Sequence, residues 1–148
     1  MKGQVSTELL IIVALVLLIF IPLLVLVYLK AGEANQQIGS YQAELAVNRI
    51  SSLANSVGSL GTNSSVVTDV YIPQNTIYLQ TVQSGRAGQL VLRLKTPEGE
   101  QDNPAIIKYP LVSPGTLADS STAGTWMKVR ISSVYVDNEA HVKIERVS

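Results

Sequence analysis

The sequence predicts an α+β fold: one long N-terminal α-helix, apolar in its first half and amphipathic in its second, packed on a small, mostly antiparallel β-sheet head. Three observations carry this. Residues 9–29 contain no charge. Apolar residues then recur at helical intervals from Ile38 to Leu60. From Val66 onward the pattern changes to alternation with turn residues between short runs. The chain therefore divides into an apolar helix of membrane length (4–30), an amphipathic continuation (31–60) and a β-rich head (61–148).

The uncharged run reads LLIIVALVLLIFIPLLVLVYL, between Glu8 and Lys30. As a helix rising about 1.5 Å per residue it reaches roughly 30 Å, the thickness of a bilayer core. It is apolar on every side, as a helix surrounded by lipid or by protein must be. A secretory signal peptide has a shorter apolar core, a more basic start and a small-residue cleavage site; here only Lys2 precedes the run, although Ala31-Gly32 offers small residues after it. A plain transmembrane anchor explains the length but gives the carboxylate of Glu8, at the edge of the run, no role. Pro22 cannot donate to the carbonyl of Leu18, so a mild kink or local loosening is expected there.

The residues before the run, Lys2-Gly3 followed by Gln4-Val5-Ser6-Thr7-Glu8, resemble the class III signal peptide of archaeal type IV pilin-like proteins. That pattern is a basic residue and glycine, then Q-x-S-x-E, then an apolar helix. Gln4, Ser6 and Glu8 fill it without departure. The resemblance covers about the first 30 residues. It implies removal of a leader, residues 1–3, by a membrane aspartic prepilin peptidase cutting between Gly3 and Gln4. It also implies that the α-amino group created at Gln4 partners Glu8, within one subunit or between neighbours, and fixes axial register during assembly. Independently of any partner, a carboxylate near a helix N-terminus gains about 0.3–1 kcal/mol from the helix dipole.

Residues 31–60 are rich in Gln, Asn, Ser and Ala, with Ile38, Tyr41, Leu45, Ile50, Leu53, Val57 and Leu60 as the apolar set. This set predicts a helical face that packs on the head. Gly58 and Gly61 are expected to end the helix. Residues 61–65, Gly-Thr-Asn-Ser-Ser, form a turn and hold the sequon Asn63-Ser64-Ser65, so Asn63 is a candidate N-glycosylation site on an extracellular surface.

Strands are expected at 66–72, 77–82, 89–95, 105–109, 125–136 and 141–147. Leu90, Leu92 and Leu94 alternate with Val91, Arg93 and Lys95, and Met127, Val129 and Ile131 with Lys128 and Arg130, each set marking one buried face. Asp137-Asn138-Glu139 predicts a turn joining the last two strands as a hairpin. Pro73, Pro97, Pro104, Pro110 and Pro114 are all expected outside strands, and residues 110–124 as a surface loop.

The head offers little for chemistry. The 148 residues have a formal net charge of +0, no cysteine, one histidine and one tryptophan. Thiolate zinc sites, cysteine nucleophiles and disulfides are therefore excluded. Scattered Lys and Arg give no nucleic-acid footprint. His141 is expected in solvent. Glu98, Glu100 and Asp102 could crowd around a Ca²⁺ ion, which takes oxygen ligands, but the spacing is not that of an EF-hand loop and a solvated acidic turn is expected. Gly85-Arg86-Ala87-Gly88 reads as a turn, not a phosphate cradle. No enzyme, cofactor, metal site or nucleic-acid partner is expected. The resemblance implies a major or minor subunit of an archaeal type IV pilus-like surface filament serving adhesion. Such a subunit is held in the membrane before assembly and extracellular afterwards. Its implied partners are the prepilin peptidase, an assembly ATPase, a platform protein, and other copies of itself or other pilins. The alternative is a membrane-anchored extracellular binding module that does not polymerise.

Overall fold

The computed structural model describes residues 2–147; Met1, part of the expected leader, and Ser148 lie outside the described residues. The chain divides into two compact units, Met1–Gln37 and Ile38–Ser148. The fold is α+β, with one long helix, α1 (Lys2–Leu60), continuous through Pro22, and two small antiparallel sheets.

Among the described residues seven strands form the sheets: β1 (Ser65–Tyr71), β2 (Thr76–Ser84), β3 (Ala87–Thr96), β4 (Gly99–Ile107), β5 (Thr116–Asp119), β6 (Trp126–Val136) and β7 (Glu139–Val147). One sheet has the order β1-β6-β7 and the other β4-β3-β2-β5. The expected hairpin joins β6 to β7. Its two turn residues, Asp137 and Asn138, both have positive φ, at 50° and 66°, as the tight hairpin turn matched to strand twist requires. The alternation in β3 and β6 is realised: Leu90, Leu92, Leu94, Met127, Val129 and Ile131 are all buried.

The helix ends one residue before Gly61, whose φ of 84° is the left-handed geometry that closes a helix. The Ser64 hydroxyl donates to the carbonyls of Val57 and Gly61 at 3.0 and 2.7 Å, satisfying acceptors that a helix end leaves open. Gly58 does not help end the helix. It lies inside α1, buried, with the Tyr109 ring seated where a Cβ would be. A glycine is required there by close packing, not by backbone conformation.

Three other expectations are corrected. First, the expected apolar face is only in part the head-facing side of α1: Ile50, Leu53 and Val57 pack on the head, and Ile38, Tyr41, Leu45 and Leu60 do not. Ala43, Ala46, Val47, Ile50, Ala54 and Val57 are buried, whereas Ile38, Tyr41, Leu45 and Leu60 are 52%, 66%, 70% and 75% exposed. The inner face is thus shared between alanines and the larger Val47, Ile50 and Val57. Second, Pro104 lies within β4, opposite Val91. β4 is an edge strand, where a missing N–H breaks no ladder. Third, residues 110–124 are not simply a surface loop. They contain β5, pairing with β2, and a 3₁₀ turn at Ser120–Thr122, and they bury Leu111, Leu117, Ala118 and Thr122. Asp119 caps that turn. Its carboxylate accepts from the Ser121 hydroxyl and from the Ser121 N–H (3.0 Å), contacts that hold it below the ordinary carboxylate range.

The helix also closes an open strand edge. The Ser51 hydroxyl donates to the Ile106 carbonyl at 2.6 Å. The Asn55 amide donates to the same carbonyl at 3.4 Å and accepts from the Lys108 N–H at 2.8 Å. Asn55 thus stands in for a neighbouring strand's backbone at the end of β4, a way of covering an edge that would otherwise invite pairing.

Candidate functional site

The N-terminal motif lies on the first turns of α1. Gln4 and Glu8 are four residues apart, so they share one face of the helix, roughly 6 Å apart along its axis. Ser6 lies on another face. All three are exposed. The Thr7 hydroxyl donates to the Gly3 carbonyl at 3.0 Å. Glu8 makes no ion pair among the described residues, so its charge is free for a partner.

Beyond Glu8 the helix exposes one large apolar side chain after another: Leu9 61%, Leu18 73%, Phe20 54%, Leu29 60%. It is long and apolar enough to cross a membrane. Each such side chain gains about 1.5–3 kcal/mol when taken out of water, so this run demands lipid or protein around it. The polar sequence resumes at once with an exposed ion pair, Lys30 to Glu33 at 2.8 Å.

The turn after the helix presents Asn63, exposed and with φ of 65°. Ser65, the third residue of the sequon, is exposed at the start of β1. A glycan on Asn63 would therefore leave the head's packing intact.

In the head, the structure spends the acidic cluster on an arginine. Arg93 meets Asp102 with two parallel bonds, Nε–Oδ1 at 2.6 Å and Nη2–Oδ2 at 2.8 Å, and Glu100 at 3.2 Å. Its guanidinium also lies 5.1 Å from the centre of the Tyr78 ring. Glu98 stays in the exposed turn before β4. Among the described residues no group of three or more His, Asp or Glu is placed to hold a metal. The Arg93 guanidinium holds the Asp102 carboxyl below its ordinary value of 3.8. A carboxyl depressed in the folded state contributes stability above its unfolded pKa, and that contribution is lost as pH falls through the folded value. Asp102→Asn should therefore flatten the pH dependence of the unfolding midpoint below about pH 4, with little change at pH 7 because the pair is solvent-screened. Denaturation at pH 2.5–7 checks this; equal acid slopes in both proteins would refute it. His141 is only partly exposed, the third residue of β7, with Nδ1 3.1 Å from the Glu139 carbonyl.

One feature was not foreseen. Where β1 ends and β6 begins, Tyr71 and Trp126 are register partners and meet edge to face at 5.5 Å. With Leu45, Ala46, Arg49 and Val70 they wall an open groove of about 290 Å³, and Trp126 is 69% exposed. A lone tryptophan after Gly-Thr was a visible signal, but its partner is set by strand pairing. Comparisons with protein families, with curated proteins and with solved structures found no match to this chain.

Proposed function

We propose that this protein is a structural subunit, major or minor, of a type IV pilus-like surface filament. It is held in the membrane by residues 9–29 until assembly and processed between Gly3 and Gln4. The observation that carries the reading is the placement of Gln4, Ser6 and Glu8 directly before an uncharged helical run, exposed on every side, in a chain that also holds a compact β-rich head. The reading gives the exposed run two successive environments, lipid before assembly and copies of itself afterwards. It also gives Glu8 a partner. Cleavage at Gln4 creates an ammonium one turn from the Glu8 carboxylate, reachable on the same chain or presented by the next. Gly3 suits the cut, because glycine is a weak helix former and its turn opens easily.

The remaining roles follow from the same resemblance. A membrane peptidase removes the leader, and an ATPase-driven platform extracts the subunit. The head, with Asn63 as a glycan acceptor, coats the filament and meets surfaces. N-terminal sequencing of the mature protein tests the reading. A start at Gln4 is expected. A start at Met1 or near Ala31 would remove its support and favour a membrane-anchored module that does not polymerise.

A further inference from the structure

We propose that the outward face of α1 from Ile38 to Arg49 is a docking seam for the same helix of a second copy of this chain, the two copies lying parallel and in register. The proposal goes beyond the filament reading and does not depend on cleavage at Gly3–Gln4.

The head occupies one side of this stretch, through Ala43, Ala46, Val47 and Ile50. The other side presents Ile38, Tyr41 and Leu45, at 52%, 66% and 70% exposure. Their spacing of three and then four is the a–d–a pattern of a heptad seam, which takes a facing helix. In the sequence the same spacing holds at Ala31 and Ala34 and stops at the polar Asn48. Ile38, Tyr41 and Leu45 follow the Lys30–Glu33 pair in the chain and are not part of the uncharged span, so lipid is not their natural cover. α1 is the one α-helix among the described residues, so the facing helix comes from another molecule.

The flanking charges say which molecule. With Ile38 and Leu45 at a positions, Glu44 falls at g and Arg49 at the following e. In a parallel, in-register pair these two positions face each other across the seam. Glu44 of one copy then meets Arg49 of the other, and the reverse contact forms as well. Both residues are exposed, and neither has an ion-pair partner within the chain among the described residues. An identical copy supplies both complements. A bilayer gripping residues 9–29 of each copy would hold both in the same direction and at the same depth, which is the register this pairing needs. Asn48 at the next d position is the kind of polar residue that fixes register at a cost in stability. Beside the seam, the groove walled by Leu45, Arg49, Tyr71 and Trp126 leaves room for a large side chain of the second copy.

The chain has no cysteine, so single-cysteine variants report without background. Full-length Leu45→Cys and Tyr41→Cys, mildly oxidised in native membranes before filament extraction, should give disulfide-linked homodimers in severalfold excess over Val67→Cys, an exposed control on β1 (51% exposed). In the Leu45→Cys background, Glu44→Arg or Arg49→Glu alone should lower the dimer yield severalfold, and the two together should restore it. A Leu45→Cys yield no greater than the Val67→Cys yield, capture of a different protein, or failure of the double swap to restore dimers would each overturn the proposal. N-terminal sequencing of the same sample separates this outcome from the processing question. Dimers on a chain starting at Met1 support the seam and count against the filament reading.

Discussion

Ile50→Ala is expected to destabilise the head by about 2–5 kcal/mol, whereas Leu45→Ala should change its stability by less than about 0.5 kcal/mol. Both residues are large aliphatics on one turn and a half of α1, and the sequence pattern places them in one set. Ile50 is fully buried and Leu45 is 70% exposed. Truncating Ile50 removes its transfer free energy and leaves a void in the core, which a packed interior closes only in part. Truncating Leu45 removes atoms already in water. Denaturant unfolding of each variant as dilute detergent-solubilised monomer measures the difference. Equal losses would mean that Leu45 packs on the head as Ile50 does, contrary to its exposure.

That contrast shows where the sequence was legible. Features that one local segment decides were readable. These include the extent of α1, the membrane-length run, the alternation in β3 and β6, and the Asp137–Asn138 turn. Each depends on neighbours within a few residues. Features decided by distant partners were not readable. Ala43, Ala46 and Ala54 lie on the inner face with Ile50, and nothing local in the helix reports which side the head covers. Gly58 has its role because Tyr109, far away in the chain, lies against it. Glu100 and Asp102 looked like crowded carboxylates until β3–β4 pairing brought Arg93 opposite Asp102. Pro104 escaped its usual exclusion because β4 turned out to be an edge. The division into two sheets is likewise a property of pairing, since β1 skips four strands to meet β6.

The same division runs through the candidate site. Glu8 and its neighbours could be found by reading along the chain. The Tyr71–Trp126 pair and the outward seam of α1 could not, because they are defined by what the head leaves uncovered. The inner face had to be assigned to Ala43, Ala46 and Ile50 before Ile38, Tyr41 and Leu45 became residues without a partner inside their own molecule.

Glu8→Ala should leave membrane insertion and head stability unchanged and abolish filament assembly. The variant removes a carboxylate from the edge of an apolar run, so insertion becomes no harder. Glu8 makes no ion pair with any described residue of its own chain, so head unfolding should not register the change. The cost falls on the assembled state. On the proposed filament reading a helix core excludes water there, and the ammonium that cleavage would create at Gln4 would be left without its counter-charge, a loss of about 3–5 kcal/mol for each broken buried pair. Repeated in every subunit, that loss outweighs what any single apolar contact supplies. Glu8→Gln separates charge from shape. It keeps a hydrogen-bond acceptor of the same size but no charge, and should assemble poorly rather than not at all. Membrane fractionation, head unfolding and the yield of sheared filaments give the three readouts. Normal filaments from Glu8→Ala would refute the pairing, and so would a variant that fails to insert, since the carboxylate would then serve the membrane step and not assembly.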